Sequence, residues 1–300
     1  MTSTPRPVRK AVLPVAGLGT RVLPATKAIP KELLPVFDRP AIQYVVDEAL
    51  AAGIEHIVFV TGRNKGAIED YFDRAYELED TLRGKGKTEL LAELDAILPK
   101  AGSVSFVRQQ APLGLGHAVW CARDVVGDEP FALLLPDMIM VPPADGVNCM
   151  AAMNAVYGQA GGNVIAVNAC DPDFAHNYGI VSLGARSGAA FELTGMVEKP
   201  PKGTAPSNLY INGRYILQPE IFEILATQER GAGGEIQITD AMKKLMATQR
   251  FSGLEFAGRV YDCGDKVGYA RANIALALRD AGLSGAVRAA LMEELAIANA

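Results

Sequence analysis

The segment Lys10-Ala-Val-Leu-Pro-Val-Ala-Gly-Leu-Gly-Thr-Arg21, followed at 30–35 by Pro-Lys-Glu-Leu-Leu-Pro, joins an apolar run to glycines and then to cations. Gly17 and Gly19 let the backbone approach an anion closely. Arg21 can fork onto two oxygens and Lys31 supplies a point charge, so the pattern suits phosphate. A Gly-x-Gly alone carries little weight; the apolar run before it, the cation two residues after Gly19 and the proline-flanked Lys31 add to it. Asp137 follows Leu133-Leu134-Leu135-Pro136, and Asp262 follows Val260-Tyr261. Each carboxylate thus stands at the mouth of an apolar segment, where burial without a compensating cation is costly. Mg²⁺ suits such a pair, with phosphate oxygens and water completing an octahedron. Attack by a phosphate monoester needs no histidine base, because its second pKa lies near ~6. It needs in-line positioning and neutralisation of charge on the attacked phosphorus and the departing group. Asp265 reads equally well as a helix N-cap.

Further along, Gln109 in Val107-Arg-Gln-Gln-Ala-Pro-Leu-Gly-Leu-Gly-His117 has an amide donor and acceptor that can match the O4 and N3–H edge of uracil, or of thymine equally. It precedes a glycine-rich turn, Gly114 and Gly116, that opens a helix. His117 reads as a capping or packing residue, and Cys263 as packing. Glu198-Lys199-Pro200 follows Met196-Val197 at a strand end, where Glu198 can accept sugar hydroxyls and Lys199 can hold a sugar phosphate. By itself such an exposed Glu-Lys pair is common surface decoration. Glu32 either orients Lys31 or holds a ribose.

These residues need elements that bring them together. Apolar runs at Ala11–Val15, His56–Val60, Val104–Val107, Phe131–Leu135, Val164–Val167 and Asn212–Leu217 alternate with amphipathic segments, the sign of βαβ units. The expected fold class is α/β, an open, doubly wound, mainly parallel sheet. Such sheets bind ligands at the carboxyl ends of their strands, so Gly17–Arg21, Gln109–Gly116 and Pro136-Asp137 should share one crevice. Ile42, Val45, Val46, Ala49 and Leu50 fall at helical spacing, with Gly53 where a C-cap is expected. Residues 74–100 read as two exposed helices joined by a mobile turn, and the chain after Lys266 as two helices broken near Gly282–Gly285. We expect a catalytic domain over 9–265, with 266–300 a helical segment packed on it or used in association, and a short disordered basic tail at the start.

The chain has 300 residues, 49% hydrophobic and 21% charged, with a net charge of -5. That length can bury a sizeable core, and the acidic balance argues against general nucleic-acid binding while leaving room for a local cationic pocket. Cys121, Cys149, Cys170 and Cys263 lie far apart with no Cys-x-x-Cys pair, so neither a zinc cage nor a disulfide framework is supported. No apolar stretch approaches the ~20 residues of a membrane span, and no export signal precedes the first strand. The expectation is a cytoplasmic protein with no membrane or nucleic-acid partner.

The glycine-cation segment resembles the signature of the nucleotide-diphospho-sugar pyrophosphorylases, and its long form Pro24-Ala-Thr-Lys-Ala-Ile-Pro-Lys-Glu32 is similar to that of the bacterial UTP:glucose-1-phosphate uridylyltransferases. Matching motifs recur through residue 265. The resemblance implies a Rossmann-like nucleotidyltransferase fold and Mg²⁺-dependent, in-line attack of α-D-glucose 1-phosphate on the α-phosphorus of UTP, releasing pyrophosphate and forming UDP-glucose. It implies Arg21 and Lys31 as activating cations, with Lys199 on the sugar phosphate. Ala16, Gly17, Gly19, Thr20, Glu32, Gln109, Gly114 and Gly116 would surround the nucleotide, with Gly114 and Gly116 leaving room for ribose and base. Gly179, Glu198 and Tyr215 would surround the sugar, in a pocket that Tyr178-Gly179-Ile180-Val181 and Gly213-Arg214-Tyr215 match in order. Asp262 would be the second metal ligand beside Asp137. Homodimers or homotetramers are the implied assemblies.

Two other readings compete. A thymidylyltransferase differs by one methyl on the base, which a pocket rejects by only ~1–3 kcal/mol. A non-catalytic nucleotide-sugar sensor would keep the fold while losing a carboxylate or a cation of the set, and none is lost. A dehydrogenase would need the third glycine of Gly-x-Gly-x-x-Gly, which Gly17-Leu-Gly-Thr-Arg-Val lacks.

Overall fold

The computed structural model describes residues 5–298, apart from the side chain of residue 232. Among the described residues nine strands build the main sheet: β1 (Lys10–Pro14), β2 (His56–Thr61), β3 (Val104–Arg108), β4 (Phe131–Leu134), β5 (Asn163–Ala169), β6 (Gly179–Ser187), β7 (Ala190–Glu198), β8 (Leu209–Leu217) and β9 (Phe251–Glu255). Their spatial order is β3-β2-β1-β4-β8-β5-β9-β7-β6. The first four are parallel, which puts all four carboxyl ends on one edge. β8 then runs antiparallel to both β4 and β5, β9 is parallel to β5, and β7 and β6 add antiparallel.

The expected mainly parallel sheet is therefore a mixed one. A parallel neighbour needs a crossover of a dozen or more residues. Only residues 188 and 189 separate β6 from β7, and Gly188 takes φ +63°, so this pair can only be a hairpin. β6 also folds back to meet β8 at Ile180 opposite Tyr210, curling this end of the sheet into part of a barrel.

Period-two alternation sends side chains to two cores. Val12, Val58, Leu133 and Ile165 face one, covered by helices Leu115–Cys121, Ile221–Ala226 and Ile238–Leu245. Ala11, Leu13, Phe59, Ala132 and Val164 face the other, under helices Ala41–Ala51 and Cys149–Ala160. With helices on both faces, the central strands are apolar along their whole length, which is why they were readable.

A second small sheet pairs Met138–Val141 with Arg259–Asp262 and puts Met138 opposite Asp262. Helix Lys266–Ala277 follows it, and the Asp265 carboxylate accepts from the Val267 and Gly268 amides at 2.9 Å, the N-cap reading of that residue. Helix Ser284–Ala298 buries none of its residues. Helices Tyr76–Gly84 and Thr88–Ala96 form the expected exposed pair, although Glu79 turns inward to Arg74 at 3.0 Å. Residues 1–4 of the basic tail lie outside the described residues. The rest of the tail is docked: Val8 is buried, and the Tyr157 hydroxyl donates to the Arg6 carbonyl at 2.9 Å. No helix among the described residues is long and apolar enough to cross a membrane.

Candidate active site

The chain leaves β1 at Pro14 and runs along the carboxyl edge as a string of single 3-10 turns at Thr20–Val22, Ala25–Lys27 and Lys31–Leu33. Gly19 takes φ +67° to enter the first turn, and its carbonyl is tied back by the Thr26 hydroxyl at 2.8 Å. A Cβ on Gly19 would press on Lys31 Cβ at 3.2 Å and Thr26 Cβ at 3.3 Å, so the glycine lets the two arms of the loop close. Gly17 stays exposed beside the Lys31 stem, Thr20 is exposed, and Ala16 packs against Gly62 at the end of β2.

This closure brings four charges together. Lys31 Nζ donates to Asp137 Oδ2 at 2.5 Å, and Arg21 Nη1 to Asp262 Oδ2 at 3.3 Å. A Cβ on Gly264 would stand 2.6 Å from Arg21 Nη2, 2.6 Å from Asp137 Oδ2 and 2.8 Å from Asp262 Oδ1, so both carboxylates and one cation flank a single point that only glycine leaves open. Two backbone bonds register the acids: the Cys263 amide donates to the Asp137 carbonyl, and the Gly264 amide to Asp262 Oδ1 at 2.7 Å. Burial pushes the Asp137 carboxyl up, but the charge and hydrogen bond of Lys31, with Arg21, outweigh it and hold the group below the usual range. Burial and then the neighbouring Asp137 push Asp262 up, against Arg21. Burial also works against the Lys31 ammonium, yet Asp137 and Glu32 keep its pKa above the ordinary lysine value. Lys31 is thus a fixed cation at neutral pH, and Asp262 is raised first by its burial and then by the charge of Asp137.

Gln109 lies at the end of β3, its amide bonded to the Thr61 carbonyl of β2. Its side-chain Nε2 donates to the Gly114 carbonyl at 3.0 Å and to His117 Nδ1 at 3.1 Å. Both amide protons are therefore spent inside the protein, which leaves Oε1 as the side chain's open acceptor. The two-sided match to a uracil edge reduces to a one-sided match to its N3–H. His117, read from sequence as structural, is the residue that sets this orientation.

Gly114 and Gly116 serve the chain itself. A Cβ on Gly114, which takes φ +110°, would meet the Ile236 backbone at 2.9 Å, and one on Gly116 would meet Ile236 O at 2.8 Å. Their close approach is to the segment before helix Ile238–Leu245, which the Gly116 and Ile236 amides lace to this turn at 2.8 and 2.7 Å. Gly116→Ala is expected to cost about 1–3 kcal/mol of stability through backbone overpacking. A thermal melt reads this, and an unchanged Tm would mean that the Ile236 strap gives way freely.

On the other side, Gly179 and Glu198 stand opposite each other in the β6–β7 hairpin. Glu198 Oε2 lies 3.0 Å from where a Gly179 Cβ would sit and accepts from the Thr239 hydroxyl at 2.8 Å. Lys199 takes φ +44°, and its ammonium pairs with no described residue. Tyr215 is 4% exposed, a wall of the core; burial and then Glu198 raise its phenol. This hairpin end is near the charge cluster: burial and then Asp262 raise the adjacent Tyr178 phenol.

Glu32 is not presented to the crevice. It is 0% exposed and accepts from Lys65 at 2.8 Å, itself buried. Burial raises the Glu32 carboxyl, with Lys65 and then Lys31 opposing. Sequence reasoning passed over Lys65, Thr239, Ile236 and Glu48, which stand in no motif, and it met Arg214 only as the middle of Gly213-Arg214-Tyr215, with no role of its own.

The sequence profile of the nucleotidyl transferase family matches residues 10–277. The chain belongs to that family. It is 49% identical over 273 residues, 91% of its own length and 92% of the relative's, to the UTP–glucose-1-phosphate uridylyltransferase of Bacillus subtilis. It is 46% identical over 282 residues, 94% and 96% of the two chains, to the enzyme of that name from Staphylococcus epidermidis. Among solved structures, the UTP-bound UGPase of Acinetobacter baumannii superposes with a TM-score of 0.88 at 44% identity, covering 95% of this chain and 99% of that one. A UDP-glucose pyrophosphorylase complexed with UDP-glucose gives 0.82 at 39%, covering 90% and 98%.

Proposed function

We propose that this chain transfers the uridylyl group of UTP to α-D-glucose 1-phosphate, giving UDP-glucose and pyrophosphate. The observation that carries this reading is the meeting of Arg21, Asp137 and Asp262 around Gly264, with Lys31 bonded to Asp137, in a chain 49% identical to a relative named for that reaction.

Arg21 and Lys31 bind the triphosphate along the 3-10 loop and neutralise the charge that grows on the departing pyrophosphate, fixed cations that need no proton transfer. Gln109 Oε1 accepts from the uracil N3–H. Glu198, steadied by Thr239 and Gly179, accepts sugar hydroxyls. Lys199 holds the phosphate of glucose 1-phosphate and aims one of its oxygens at the α-phosphorus. That phosphate is largely dianionic at pH 7, its second pKa near ~6, so the attack needs no base. Ala16, Gly17, Gly19 and Thr20 give the nucleotide its backbone cradle.

Asp137 and Asp262 fit a divalent cation: hard oxygen donors flanking one point, the first now satisfied by Lys31 and the second raised by burial and then by Asp137. No third acidic, histidine or cysteine side chain joins them among the described residues, which leaves the other positions to phosphate oxygens and water, the preference of Mg²⁺. Bound there, Mg²⁺ would draw charge from the phosphate oxygens. Residues 9–265 form the catalytic unit in this reading, and 266–300 the helical segment through which copies associate, with Met292 and Ile297 exposed on it.

Two experiments bear on the base. Pyrophosphate release from purified protein with Mg²⁺ and glucose 1-phosphate, with UTP, dTTP, CTP and ATP offered in parallel, should favour UTP and stop on chelation. Preference for dTTP would move the reading to thymidylyl transfer, and silence with all four would leave a sensor. Gln109→Leu removes the acceptor, together with the Nε2 bonds to Gly114 and His117, and should lower the preference for UTP over CTP by roughly 10- to 100-fold, the worth of one buried hydrogen bond. Undiminished discrimination would place the N3–H contact elsewhere.

A further inference from the structure

Arg214 has a fully buried side chain, 166 residues from its partner Glu48, itself 7% exposed. Its Nε and Nη2 donate to Glu48 Oε2 at 3.1 and 2.8 Å. The rest of the guanidinium reaches backbone: Nη1 donates to the carbonyls of Leu135 at 3.2 Å and Gly213 at 3.3 Å, and Nη2 to that of Met138 at 2.7 Å. Leu135 and Met138 bracket Pro136-Asp137. Met138 is also the residue opposite Asp262 in the small sheet, and the Asp137 carbonyl accepts from Cys263. One planar fork therefore grips both ends of the turn that carries one carboxylate and the strand residue that registers the other. Glu48 keeps the fork in place and is itself held through the Met150 amide on Oε1 at 3.2 Å.

A buried ion pair adds little net stability over well-packed apolar residues, so stability alone gives poor reason for burying an arginine here. Lysine would not do the same work, because a point ammonium cannot span two carbonyls in fixed directions. We infer that Arg214, oriented by Glu48, is a positioning residue that sets the spacing of Asp137 and Asp262 for a divalent cation. This rests on the proposed metal role of the two aspartates, and it does not depend on which nucleotide or sugar is used.

The test compares native protein, Arg214→Lys and the double variant Glu48→Met/Arg214→Met, with Asp137→Asn marking the site. Mn²⁺ alone is titrated against each and followed by electron paramagnetic resonance, beside circular dichroism, thermal melts and pyrophosphate release. Both clamp variants should keep the native spectrum and a cooperative melt while binding Mn²⁺ roughly 10- to 100-fold more weakly, the usual cost of losing support around metal ligands. At saturating metal, KM for UTP should stay near native. Native-like Mn²⁺ binding in Arg214→Lys would overturn the inference, as would unfolding of both variants, which would make the pair a stability element, or a native protein with no site that Asp137→Asn removes. If the native protein releases no pyrophosphate but the variants still lose Mn²⁺, the positioning role stands and the proposed reaction falls.

Discussion

Asp137→Asn is expected to lower kcat by roughly 10²–10³-fold at saturating UTP and Mg²⁺ while leaving the fold intact, in the range for loss of one preorganised group that stabilises transition-state charge. Asparagine keeps the size of the side chain and an oxygen that can accept from Lys31, now at 2.5 Å. What it loses is the charge. The remaining carboxylate, Asp262, is 30% exposed at its side chain and already engaged by Arg21, so one acid faces the cation where two did before. Steady-state kinetics with a thermal melt separate these effects. A variant that turns over near the native rate with Mg²⁺ would remove Asp137 from the metal site, whatever its melt.

The second large effect is expected at Lys199, and its sign differs between two readouts. A non-glycine residue at φ +44° is in the left-handed region, where a side chain is strained by about 1–3 kcal/mol when the surroundings impose it. The surroundings do so here: the Lys199 amide donates to the Tyr178 carbonyl at 3.0 Å, and Pro200 follows, buried. Glycine would fit this backbone better. Lys199→Gly should therefore melt at or above the native temperature, yet lose roughly 10²-fold or more in kcat/KM for glucose 1-phosphate, with KM for UTP little changed. A variant that is both less stable and equally impaired for the two substrates would mean that Lys199 serves the hairpin end and not the sugar phosphate.

Much of the candidate site was legible because its residues lie in contiguous segments next to buried strands. β1 and β4 are apolar on both faces, so Ala11–Val15 and Phe131–Leu135 stood out, and the residues after them, from Gly17 to Arg21 and at Asp137, were found with them. The β6–β7 hairpin was not legible. Its residues alternate, with Ser182, Glu192 and Thr194 on the less buried side, and a half-buried strand of that kind lacks the apolar run that marks a central one. Missing it, and taking Asn212–Leu217 as one more parallel strand, made the sheet look mainly parallel.

The contacts that sequence could not show were those whose partners are distant in the chain. Glu32 was read as orienting Lys31 or holding a ribose, because nothing local shows that Lys65 closes over it. Gly114 and Gly116 were assigned to ligand room, whereas the backbone that approaches them belongs to Ile236. Asp265 was the easier case: the cap that the structure shows was one of its two readings, because a helix N-terminus is a local event. Tertiary ion pairs such as Arg214–Glu48 leave no trace in spacing or composition, and burial of the arginine becomes visible only once the fold brings the two elements together.

The most direct measurement is phosphorus NMR of one tube containing the purified chain, UTP, glucose 1-phosphate and Mg²⁺. The account requires the glucose 1-phosphate singlet and the three UTP resonances to give way together to the paired doublets of UDP-glucose and the singlet of pyrophosphate, and this exchange to stop when the metal is chelated. UTP that stays intact beside glucose 1-phosphate, or that breaks down to UMP and pyrophosphate while the sugar phosphate remains, would contradict it.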